Sequence, residues 1–160
     1  MRIHTFEAHQ WVSTPIEHTF DFFADAANLE AITPPFLNFR ILTTLPVEMR
    51  VGARIDYRIA LHGVPMTWKT RIDRWEPGVA FIDTQIAGPY AQWIHLHTFE
   101  SSAGGTQLYD RVEYALPLDP LSRPAHPLFV RPTVERIFAY RREVIAKRFG
   151  GEGREHAPRA

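Results

Sequence analysis

Arg54-Ile55-Asp56-Tyr57-Arg58-Ile59-Ala60-Leu61-His62-Gly63-Val64-Pro65-Met66-Thr67-Trp68-Lys69-Thr70-Arg71-Ile72-Asp73 alternates apolar and polar side chains on both sides of one break. Ile55, Tyr57 and Ile59 are set against Arg54, Asp56 and Arg58, and Met66, Trp68, Thr70 and Ile72 against Thr67, Lys69, Arg71 and Asp73. Successive side chains of a strand point to opposite faces, so period two marks two strands, each with one wet and one dry face. The break at His62-Gly63-Val64-Pro65 turns the chain back on itself.

The same period continues outward from Phe39 to Leu118. It is punctuated at Glu76-Pro77-Gly78, at Gly88-Pro89 and at Ser101-Ser102-Ala103-Gly104-Gly105. This spacing predicts an antiparallel meander. Upstream, residues 2 to 12 read as a first strand, after which Ser13-Thr14-Pro15-Ile16-Glu17 reads as a helix start. Thr14 and Glu17 would form a reciprocal cap, with Pro15 at the first helical position. Ile16, Phe20 and Phe23 share a face of that helix. Asp25 is placed to cap a second short helix carrying Leu29 and Ile32, which must stop before Pro34-Pro35.

Downstream, four prolines between Pro120 and Pro132 obscure the start of a last helix that runs uninterrupted from Thr133 to Phe149. Val134, Ile137, Phe138, Val144 and Ile145 form its apolar stripe. The layout is therefore α+β: strand, two short helices, about six more strands, one long helix. Residues 1–149 read as one domain and 150–160 as a loose tail rich in glycine and charge.

With 160 residues, 45% of them hydrophobic, the chain is long enough to bury a sizeable core. Eighteen basic and eighteen acidic side chains balance, which gives no electrostatic basis for holding a nucleic acid. Cysteine is absent, excluding thiolate nucleophiles and thiolate zinc sites. The N-terminal segment lacks a signal-like apolar run and no stretch approaches a membrane span, so a cytoplasmic setting without membrane insertion is the expectation.

Several runs together resemble the ligand-binding branch of the START-like (SRPBCC) superfamily, which includes polyketide cyclases and plant Bet v 1-type proteins. They are Ile32-Thr33-Pro34-Pro35, Leu61-His62-Gly63-Val64-Pro65 with Trp68, Trp75-Glu76-Pro77, Gly88-Pro89-Tyr90, Trp93-Ile94-His95, Asp110-Arg111-Val112-Glu113-Tyr114 and Ile137-Phe138-Ala139-Tyr140-Arg141. The resemblance spans roughly residues 3 to 149. It implies a helix-grip fold, in which a curved antiparallel sheet of about seven strands wraps the C-terminal helix around a cavity for a small hydrophobic or aromatic molecule. Related domains are fused to epimerase-like domains, so an epimerase-like protein is a further expected partner. The superfamily hosts binders, transporters, cyclases and hydrolases, so no reaction follows from it.

Trp93, His95, His97 and Phe99 share a strand face that we read as inward. If the turn at 101–105 sets Phe99 opposite Leu108, then His97 faces Asp110, His95 faces Val112 and Trp93 faces Tyr114. His97 with Asp110 is then either an acid–base pair or a plain polar contact. Arg141 falls within the apolar stripe of the last helix. It must be paired there, either structurally with Asp83, Asp110 or a backbone carbonyl, or as a clamp on a ligand carboxylate or enolate.

Tyr57, Trp68, Trp93 and Tyr114 are expected to wall the cavity, with Asp83, Gln85, His95, His97, Asp110 and Arg141 as its polar points. Tyr90, after Gly88-Pro89, reads as an exposed turn residue in preference to one that closes the pocket mouth. His95 and His97 are spaced like a metal-ligand pair that only Asp83 or Asp110 is placed to complete, and neither a metal nor another cofactor is expected. The leading functional expectation is a carrier of a small hydrophobic ligand. The alternatives are a cyclase, dehydratase or hydrolase using His97 and Asp110, and an interaction module.

Overall fold

The computed structural model describes residues 1–151. One antiparallel sheet of seven strands dominates it: β1 (His4–Val12), β2 (Arg40–Ile41), β3 (Arg54–Leu61), β4 (Val64–Glu76), β5 (Ala80–Ala87), β6 (Gln92–Ser102) and β7 (Gly105–Ala115). Their spatial order is β1-β7-β6-β5-β4-β3-β2, so the first strand closes onto the last and the rest form a meander. Helix α1 (Ile16–Ala24) and a 3-10 turn (Ala26–Leu29) follow β1, and α2 (Arg131–Phe149) ends the described chain. This is the helix-grip arrangement. From residue 152 on, the tail read as loose lies outside the described residues.

The hairpins form where the residues permit left-handed backbone. His62 and Gly63 both have positive φ (49° and 81°) in a two-residue turn joining β3 to β4. Ala103 and Gly104 do the same between β6 and β7 (49° and 78°). Such turns match the twist of the flanking strands and fix their register. The β6–β7 register is the one anticipated: Phe99 opposite Leu108, His97 opposite Asp110, His95 opposite Val112, Trp93 opposite Tyr114.

Helix α2 lies on the inner face of the sheet. Val134, Phe138 and Ile145 are buried, and the Phe138 ring sits 4.5 Å from that of Phe6. A π-helical turn at His126–Val130 leads into it, so the helix starts earlier than Thr133, with Pro132 in its first turn, where a missing N–H costs little.

The cap expected at α1 does not form. Pro15 occupies the cap position and no side chain caps the helix. The Thr14 hydroxyl instead donates to the Phe149 carbonyl at 2.9 Å, joined by Ser13 at 3.0 Å. The last carbonyls of α2 need donors, and these two hydroxyls tie the helix end to the end of β1. Asp25 does cap its short helix, accepting from Ala27 N at 2.9 Å.

No helix among the described residues is long and apolar enough to cross a membrane. Two exposed basic side chains of α2 are paired along the helix, Arg131 with Glu135 (2.8 Å) and Lys147 with Glu143 (2.7 Å).

Candidate ligand pocket

Period two places Tyr57, Trp68, Thr70, Phe81, Asp83, Trp93, His95 and His97 on the inner face of four neighbouring strands. Together with Phe23, Ile32, Phe39, Ile137, Phe138 and Arg141 from the helices and the intervening segment, they line a space of about 170 Å³. A single water needs roughly 10–15 Å³ of such space, so the volume suits an organic molecule. The lining draws on all three apolar clusters of the interior: around Phe20 and Phe81, around Val112 and Phe138, and around Phe39 and Trp68.

One aromatic corner is built from Trp68, Trp93 and Tyr90, with Trp68 and Trp93 edge to face at 5.2 Å and Tyr90 4.8 Å from Trp93. Tyr90 is thus not an exposed turn residue. The turn it follows is held inward by Gln85, whose side-chain amide donates to the Tyr90 carbonyl at 2.7 Å and accepts from its N–H at 3.3 Å. That bond pair takes Gln85 out of the pocket lining. Tyr114 is buried but also lies outside the lining. Its ring packs against Trp93, and its hydroxyl pairs with His126 Nε2 at 2.8 Å.

At the other end five ionisable groups converge. Asp110 Oδ1 accepts from His95 Nε2 at 2.9 Å and lies 3.0 Å from His97 Nδ1. His97 Nε2 donates to Asp83 Oδ2 at 2.8 Å, and His95 Nδ1 lies 3.6 Å from the same oxygen. Arg141 extends Nη2 to within 3.2 Å of His97 Nδ1 and 3.5 Å of Asp110. His97 therefore contacts two carboxylates rather than Asp110 alone. Asp110 sits behind the histidines, away from the lining, whereas Asp83, His95, His97 and Arg141 face the space.

Burial and the neighbouring imidazole push His95 down to about 4. Burial also acts to lower His97, but the two carboxylates outweigh it and raise the ring above its ordinary value. Desolvation opposes ionisation of Asp110, yet Arg141 and the histidines hold it well below the usual carboxylate range. Asp83 is lowered too, chiefly by the His97 hydrogen bond against the cost of burial. The cluster is thus anionic at its carboxylates, cationic at Arg141, and neutral at His95.

Three buried side-chain polar atoms among the described residues lack a hydrogen-bond partner: Trp68 Nε1, Thr70 Oγ1 and Arg141 Nε. All three belong to residues lining this one space. The sequence offers Trp68 and Arg141 as site residues; Thr70, on the same strand face as Trp68, is not among those expected there.

The sheet, the helix it grips and the lined space between them define a helix-grip protein of the Bet v 1-like kind. The family model described as polyketide cyclase/dehydrase and lipid transport matches residues 12–138, and the chain belongs to that family. No curated protein matches the chain. Among solved structures, the chain is similar to an aromatase/cyclase from a Streptomyces species, with TM-score 0.73 and 16% identity over 92% of this chain and 93% of that one. A protein from Chromobacterium violaceum gives TM-score 0.71 and 18% identity, covering 92% and 98% of the two chains. A nucleoside-diphosphate sugar epimerase from Corynebacterium glutamicum gives TM-score 0.63 and 23% identity over 89% of this chain but 28% of its own. At these identities the likeness shows the fold.

Proposed function

We propose that the protein binds a small, largely aromatic molecule bearing oxygen acceptors, in the pocket between the sheet and α2. The observation that carries this reading is the set of three unpartnered polar atoms on residues that line the pocket. A buried donor left unpaired costs about 1–3 kcal/mol, and native proteins rarely tolerate one without a partner. Two of the three groups, the Trp68 indole and the Arg141 guanidinium, can only donate. A carbonyl, phenol or carboxylate oxygen satisfies them, while the Trp68–Trp93–Tyr90 corner takes an aromatic ring. The family, which spans cyclases and lipid transport, supports a ligand of this type.

The test is an equilibrium titration of oxygenated aromatic ligands against their deoxygenated analogues, followed by tryptophan fluorescence. Preference for the oxygenated member by about tenfold or more is expected, from one to two hydrogen bonds gained. Equal affinity within each pair would sink the reading.

A cyclase or dehydratase is the second reading, favoured by an imidazole that faces the pocket while backed by two carboxylates. A base so placed accepts a proton from a bound ligand and returns it. On a substrate the protein turns over, His97→Gln should lower kcat by about 100-fold with little change in binding. Unchanged kcat would remove His97 from the mechanism. The likeness to one segment of an epimerase supports, as a lesser part of the proposal, a role beside an epimerase-like partner.

A further inference from the structure

We propose that Asp83, His95 and His97 form a three-ligand site for a divalent first-row transition ion, with Asp110 supporting both imidazoles from behind.

Each histidine presents one nitrogen to Asp110 and the other to Asp83. On the Asp110 side the distances are 2.9 Å (His95 Nε2) and 3.0 Å (His97 Nδ1), both to Oδ1. On the Asp83 side they are 3.6 Å (His95 Nδ1) and 2.8 Å (His97 Nε2), both to Oδ2. One carboxylate thus orients both rings, the usual support for a metal-bound imidazole. The remaining nitrogens converge on the second carboxylate.

The three candidate ligand atoms lie within 4.8 Å of one another. Bonds of about 2.1 Å to one ion require ligand atoms roughly 3.0–3.4 Å apart, and the two distances to Asp83 bracket that range. Since His95 Nε2–H donates to Asp110, neutral His95 turns the lone pair of Nδ1 toward the Asp83 oxygen. Two lone pairs facing each other make an electron-rich notch that a cation relieves. For His97, binding frees Nε2 and leaves the ring proton on Nδ1, which donates to Asp110 Oδ1 3.0 Å away, so the Arg141 contact to that nitrogen gives way to the Asp110 one.

Charge favours the same outcome. With both imidazoles in the neutral form that binds a metal, two carboxylates and Arg141 sum to one net negative charge in a buried site, and any proton that the carboxylates hold on His97 leaves as the ion enters. Arg141 approaches His97 at Nδ1, on the side away from the ligand notch, and so does not occupy the ion's place. Two imidazoles and one carboxylate without thiolate suit zinc, cobalt, nickel or iron(II) better than magnesium or calcium. Three protein ligands leave a coordination position open, and all three residues line the pocket.

From the sequence, only Asp83 or Asp110 is placed to complete the histidine pair, short of the four protein ligands of a closed site. The β5–β6 pairing of Asp83 with His95 brings in the third.

The experiment titrates Co2+ into chelator-stripped protein, read by visible absorption and X-ray absorption, with Zn2+ as competitor. One ion should bind with Kd below roughly 10 μM, carrying two imidazole nitrogens. His95→Ala and the near-isosteric Asp83→Asn should each weaken binding by about 100-fold, and Asp110→Asn by about 10- to 100-fold. His126→Ala, which alters the separate stacked pair of His4 and His126, should leave binding unchanged. The proposal is overturned by wild-type protein that binds no Co2+ at roughly 100 μM. It is equally overturned by an ion lacking two imidazole ligands, or by binding that follows His126 rather than Asp83 and His95. Should a variant fail to fold, the wild-type coordination count decides alone.

Discussion

Asp110→Ala should destabilise the protein by about 3–5 kcal/mol, seen as a large drop in the denaturation midpoint near neutral pH with the slope unchanged. Asp110 is the anchor of the buried cluster, within 3.5 Å of His95, His97 and Arg141. Removing it leaves a guanidinium with 11% side-chain exposure without its carboxylate, and a buried imidazole N–H without an acceptor. An uncompensated buried charge costs far more than an exposed one. The contrast is Glu76→Ala, which breaks a well-formed pair with Arg74 (2.8 Å) whose partners are nearly half exposed, and should change stability little. Asp110→Asn should fall between, since its amide oxygen still accepts from His95. A loss below about 1 kcal/mol for Asp110→Ala would show that the cluster does not hold the interior together.

Acid should destabilise the metal-free protein before any carboxylate titrates. His95 is held down to about 4 in the folded state against 6.5 when unfolded. Between those values the unfolded chain binds a proton there that the folded chain refuses, so stability falls as pH falls, by up to about 3 kcal/mol. Below that window the lowered Asp83 and Asp110 continue the loss, since their contribution is present above the unfolded carboxylate value and disappears through the folded one. His97 works in the opposite sense. Its raised value contributes stability that is full below 6.5 and lost as pH rises through the folded value.

Denaturation midpoints measured with chelator present should therefore peak at mildly acidic to neutral pH. His95→Gln should flatten the acidic limb. The lowered His4 and His126 contribute to the same limb, so the difference between wild type and variant is the quantity to read. Identical acidic limbs would contradict the assignment of His95 as a neutral, buried ring.

The fold was legible because its determinants are local. Period-two alternation gave strands, and glycine-bearing turns gave their ends. The β6–β7 hairpin, closed by Ala103-Gly104, set His97 opposite Asp110 with no long-range information. Arg141 was legible by helical spacing. What escaped depends on contacts between segments far apart in sequence.

Asp83 reaches both histidines because β5 pairs with β6, and the connection between those strands, residues 88–91, does not fix that alignment from the sequence. Gln85 and Tyr90 were misplaced because a side-chain amide folds over the turn between them, drawing one out of the pocket and the other in. Thr14 was read as a helix cap because nothing nearby in sequence announces the Phe149 carbonyl that its hydroxyl serves. The pocket lining from α1 through Phe39 also required the packed structure, since an apolar residue reads alike whether it faces a core or a space.

The central claim is that the unpartnered donors await a ligand oxygen, and the indole N–H of Trp68 reports on that directly. In a nitrogen–proton correlation spectrum taken during the aromatic ligand titration, the chain's four tryptophans give one indole signal each. Trp11 Nε1 already donates to the Ser102 carbonyl at 2.9 Å on the surface and serves as the internal reference. An oxygenated aromatic ligand should move the Trp68 indole proton downfield, as expected for a newly formed hydrogen bond, with Trp93 perturbed by ring contact and Trp11 unmoved. Saturable binding that leaves Trp68 in place, or moves Trp11 instead, would contradict the account.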